Sequence, residues 1–99
     1  MYIVGTPEKI SCLNLALKTI HEMKTSSKGV HAVSYGKFFN VAAPRETDGY
    51  VQVSTFQKES DFKHLKDISF KAHDGPVVCL AMSQNGQLIA TASEKVSLE

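Results

Sequence analysis

The stretch Phe70–Lys95, FKAHDGPVVCLAMSQNGQLIATASEK, constrains this chain more than any other. An Ala72-His73 pair and a turn at Asp74-Gly75-Pro76 lead into the apolar run Val77–Met82. Asn85-Gly86 follows, and Leu88–Ser93 returns with small residues. Asn-Gly tolerates the positive φ of a tight hairpin turn, so the two runs read as paired antiparallel strands. In Val77–Met82 both parities are apolar. Such a strand is expected to be covered on both faces, with Cys79 buried in it.

The rest of the chain is punctuated in the same way. Tyr2–Val4, Lys9–Leu13, Val30–Tyr35, Phe38–Ala43 and Asp67–Lys71 are short β-prone runs separated by Gly, Pro and polar turns. Tyr50–Phe56 alternates and is rich in β-branched and aromatic residues, the strongest strand signal after the hairpin. Residues 13–23 are ambiguous. Leu13, Ala16, Leu17 and Ile20 recur at helical spacing, while Leu13, Leu15 and Leu17 alternate as in a strand. Gln57–Lys66 carries mixed charge and reads as a solvated loop.

Three segments align with one another: YIVGTPEKISCL, FFNVAAPRETDGYVQV and QLIATASEKVSL. Val4, Val41 and Ile89 then correspond, followed by Gly5, Ala42 and Ala90. VHAVSY precedes the second copy as VVCLAM precedes the third. A period of about 40–45 residues built from short strands marks the blade of a β-propeller. This repeat favours strand over helix for 13–23. The pattern alone admits propeller blades, a small antiparallel sandwich or an α+β domain. The repeat lacks the Trp-Asp pair common in such blades, since the chain has no Trp.

Composition narrows the function classes. The 99 residues suffice for one small domain. A net charge of +1 argues against a dedicated nucleic-acid binder. No apolar run approaches the roughly 18 residues of a membrane span, and the N-terminus does not resemble a signal peptide. Cys12 and Cys79 lie far apart outside any CxxC and are expected as reduced thiols. His21, His31 and His64 have no metal-ligand spacing, and no zinc pattern emerges from the histidines and cysteines. No nucleophile elbow, phosphate loop or paired-carboxylate motif occurs, so a non-enzyme without cofactor or metal is expected.

FKAHDGPVVCLAMSQNGQLIATASEK resembles the central stretch of the PROPPIN family, seven-bladed phosphoinositide-binding propellers that include the WIPI proteins of autophagy. KTIHEMKTSSKGVHAVSY and FFNVAAPRETDGYVQVSTF resemble the strands before it, so the likeness runs from about Ile10 to Lys95. The resemblance implies an all-β partial propeller of antiparallel four-stranded blades: 1–28 the end of one blade, 29–71 a whole blade and 72–99 the start of the next. It implies a WD-repeat scaffold recruited to autophagic or endosomal membranes from the cytoplasm by phosphatidylinositol 3-phosphate or 3,5-bisphosphate, with autophagy proteins as partners.

The family binds its lipid through an Arg-Arg pair, whose planar forks grip phosphate. Here the only arginine is Arg45, in a turn, and the Gly expected after Lys95 is Val96. By resemblance, Thr91, Ser93 and Lys95 flank one lipid site. His73, and on one reading Ser93, instead match a structural hydrogen-bond network of WD-type repeats. The lipid site is therefore expected to be incomplete in this chain. The alternative is a protein-interaction module without lipid binding. A run of about two blades is expected to leave apolar faces that either self-associate or rearrange into a compact sheet.

Overall fold

A computed structural model describes residues 1–25, 30–36, 38–58, 62–75, 77–84 and 89–93, with Ser93 described in its backbone only. The described chain is all-β, as the sequence leads one to expect. Its strands form three antiparallel sheets, in each of which sequence neighbours are spatial neighbours. Sheet 1 contains β1 (Tyr2–Gly5), β2 (Lys9–Leu13) and β3 (Thr19–Lys24). Sheet 2 contains β4 (Ala32–Tyr35), β5 (Phe39–Pro44), β6 (Tyr50–Gln57) and β7 (Lys63–Lys71). Sheet 3 pairs β8 (Val77–Met82) with β9 (Ile89–Ser93). Among the described residues no helix is long and apolar enough to cross a membrane.

Sheet 2 is the middle layer. Alternation along β5 sends Phe39, Val41 and Ala43 to one face and Ala42 to the other. Phe39, Val41, Ala43 and Phe56 pack with Ile10, Cys12 and Met23 of sheet 1. On the opposite face Ala32, Ala42 and Val51 pack with Val77 and Leu80 of sheet 3. Phe39 and Phe56 are almost wholly buried, and removing each from water is worth about 1.5–3 kcal/mol.

The connections explain the boundaries. Residues 13–23 are neither a helix nor one continuous strand. Asn14 turns the chain: its Oδ1 accepts the backbone N–H groups of Ala16 at 3.0 Å and Lys18 at 3.1 Å. That local side-chain bonding competes with helix formation. Leu17 is left at φ 63°, and Leu15 and Leu17 are exposed. Their helical spacing therefore has no core to serve.

In the β5–β6 hairpin Gly49 adopts φ 83°. Its carbonyl accepts the N–H groups of Ala72 at 2.7 Å and His73 at 3.2 Å. The turn of one hairpin thereby anchors the segment that leads from sheet 2 into sheet 3.

Three sequence readings are corrected. Lys63–Lys66 belongs to β7 and not to a solvated loop, because it completes the pairing with the end of β6. Val77–Met82 is covered on one face only. Val77 and Leu80 are buried against sheet 2, whereas Val78 is 46% exposed. Cys79 is exposed and Cys12 is the buried thiol; both are free. Apolar residues at both parities show that a strand can be covered on two sides, but among the described residues only sheet 2 packs on a face of β8. The Asn85-Gly86 turn lies outside the described residues.

Candidate functional site

The residues singled out by sequence do not all meet. His73 sits just before β8, and its Nε2 lies 2.6 Å from the Thr91 hydroxyl on β9. This bond ties the entry of sheet 3 to its second strand, as a structural histidine would. Thr91, singled out by resemblance for lipid contact, is thus already engaged. Ser93 ends β9 opposite Val77, with its side chain outside the described set. Lys95 also lies outside it.

A second constellation forms where sheet 1 meets sheet 2. His21 comes from β3, Ser54 from β6, and His64 and Asp67 from β7. His21 Nε2 is 3.0 Å from Ser54 Oγ, and Ser54 Oγ donates to Asp67 Oδ1. His64 Nε2 lies 2.9 Å from the same carboxylate oxygen, and His21 Nε2 lies 3.5 Å from it. The two imidazoles stack with centroids 4.2 Å apart. Phe56 underlies both, 5.6 Å from His21 and 5.3 Å from His64.

A β-bulge builds this arrangement. In a regular strand residues three apart point to opposite faces. Thr55 pairs with Lys66 but Phe56 pairs with His64, so Leu65 is extra. The extra residue turns His64 onto the same face as Asp67. Sequence spacing gave no sign of the cluster, because the bulge and the approach of β3 are both tertiary.

The electrostatics follow from the packing. Partial burial and the neighbouring His64 charge lower the His21 pKa below its ordinary value, against the pull of Asp67. Burial opposes ionisation of Asp67. Hydrogen bonds from Ser54 and His64, with the charges of both imidazoles, outweigh it and hold the carboxyl below its usual range.

Family models, curated proteins and solved structures yield no match to this chain. The family resemblance therefore rests on the sequence stretches alone, and the chemistry of the cluster must be read from its own atoms. It lacks the order of a nucleophilic triad, in which a histidine stands between the hydroxyl and the carboxylate. Here the carboxylate takes the hydroxyl hydrogen directly, and both imidazoles face it through Nε2. Three donor atoms converge on one point, a geometry suited to holding a proton or a cation.

Proposed function

We propose that this chain is a run of β-propeller blades that serves as a scaffold for protein partners. Sheet 2 is one whole blade, sheet 1 the last three strands of the blade before it, and sheet 3 the first two of the blade after it. The observation that carries this reading is the burial of sheet 2 on both faces between two other sheets. Blades of a propeller stack in this way, each unable to bury its faces alone. The repeat agrees in direction. Val41 faces sheet 1 and its counterpart Ile89 faces sheet 2.

The phosphoinositide reading, a membrane-recruited scaffold of autophagy, rests on the resemblance. Two observations favour the protein-interaction reading for this chain. The Thr91 hydroxyl is bound by His73, and Arg45, the only arginine, donates to Ser69 Oγ at 3.1 Å. Liposome flotation with and without the 3-phosphate lipid separates the two. Weak, headgroup-independent flotation is expected. Strong headgroup-specific binding would replace the interaction reading with the lipid one.

The blade reading also names a partner, a second copy of the chain. Ala42 is fully buried beneath sheet 3, and its counterpart Ala90 lies exposed on sheet 3 opposite Ala81. Val41 is buried beneath sheet 1, and its counterpart Val4 is 47% exposed. The two outer sheets thus present the two halves of an interface already used twice within the chain. Such head-to-tail faces associate heterologously. Sedimentation velocity is expected to show concentration-dependent association, weakened by Ala90→Lys or Val4→Lys. A monomer at high concentration would count against stacked blades.

A further inference from the structure

We propose that His21, His64 and Asp67 form a binding site for a divalent transition-metal cation of the zinc type, bridging sheets 1 and 2. The site stands independently of the scaffold reading. His21 Nε2, His64 Nε2 and Asp67 Oδ1 all lie within 4.8 Å of one another. Bonds of about 2.0–2.2 Å in a tetrahedral zinc centre place its ligand atoms about 3.4 Å apart. The 2.9 Å and 3.5 Å separations around Asp67 Oδ1 bracket that spacing.

The donor set selects the cation. Two imidazole nitrogens and one carboxylate oxygen suit zinc and its neighbours. Calcium requires six to eight oxygen ligands, and magnesium an octahedron rich in oxygen. Thiolates, which favour softer ions, are absent from the cluster.

The surroundings support a built site. The Ser54 hydroxyl donates to the ligating carboxylate oxygen, an outer hydrogen bond of the kind that orients metal ligands. Phe56, fully buried, forms an apolar floor under both rings. Above, the side chains of His21, His64 and Asp67 are 19%, 32% and 47% exposed, so an ion can enter from solvent. A groove of about 310 Å³ lined in part by His21, Gln52 and Asp67 leads past the cluster. Three protein ligands leave a fourth position for water.

Without metal, hydrogen bonds hold the same four side chains together, so the deciding experiment measures metal directly. Zn²⁺ is titrated into the full, tag-free chain carrying Cys79→Ser, by calorimetry and by thermal melting. The expected result is one ion per chain and a raised melting midpoint, since a ligand of the folded state stabilises it. Co²⁺ should give the visible absorption of a tetrahedral centre.

Ser54→Ala should weaken binding about 10- to 100-fold, as loss of an outer partner does, and His64→Gln should weaken it further. His31→Gln should leave it unchanged. Circular dichroism checks that each variant folds. Asp67→Asn, which keeps the shape of the side chain, decides the matter where His64→Gln does not fold. Absence of saturable Zn²⁺ binding would overturn the proposal. So would affinity unchanged in His64→Gln or Asp67→Asn.

Discussion

A Cβ at Gly49 would stand 1.7 Å from the carbonyl oxygen of His73. The β5–β6 turn and the strand-to-strand linker are in backbone contact there, and only glycine leaves room. Gly49 is also at φ 83°, a region that other residues occupy at a cost of about 1–3 kcal/mol. Gly49→Ala must therefore separate the turn from the linker and weaken its bonds to Ala72 and His73. A loss of about 3 kcal/mol or more is expected in urea denaturation. The exposed neighbour change Asp48→Ala should stay within about 0.5 kcal/mol. Equal effects at the two positions would refute the close approach.

The bond between His73 and Thr91 predicts coupling. Thr91→Val keeps the shape and removes the hydroxyl, and His73→Ala removes its partner. A double-mutant cycle should return an interaction of about 1 kcal/mol. Additive losses would show that the two side chains act separately and would free Thr91 for another ligand.

Leu17 offers a gain in stability. It occupies φ 63° in a turn and is exposed. A left-handed conformation costs an L-residue with an ordinary side chain roughly 1–2 kcal/mol, and asparagine tolerates it better. Leu17→Asn should raise stability by about 0.5–1 kcal/mol. A fall in the melting midpoint would contradict the turn geometry.

The two thiols should behave differently. Exposed Cys79 is expected to alkylate in the folded chain, and buried Cys12 only on unfolding, as mass spectrometry after iodoacetamide would report. Burial pushes the Cys12 thiol from its ordinary 9.0 up to about 11. The folded state then keeps a proton that the unfolded state releases between those values. Its contribution to stability is intact below pH 9 and declines as pH rises toward 11, at up to about 1.4 kcal/mol per pH unit. Comparison with Cys12→Ala isolates this slope. Identical pH dependence in the two chains would show that Cys12 is accessible when folded.

Local chemistry determined much of this protein. The alternation of Tyr50–Phe56, the Gly, Pro and polar turns and the repeated apolar pairs were enough to read short strands, and the resemblance added the all-β class, since the pattern alone left an α+β domain open. These features depend on backbone preference and side-chain period, which neighbours along the chain set by themselves. The resemblance placed His73 and Ser93 in one structural network, whereas the structure shows His73 bound to Thr91 and leaves the Ser93 side chain outside the described residues. The tertiary structure decided the rest. Apolar residues on both parities of β8 could not reveal that only one side would be covered, so Cys79 was misplaced. Helical spacing in 13–23 lost to the hydrogen bonds of Asn14. His21, His64 and Asp67 met because a single extra residue in β7 reversed the facing of His64 while a different sheet supplied His21. Strand alternation would have placed His64 and Asp67 on opposite faces, and only the pairing of β6 with β7 breaks that rule.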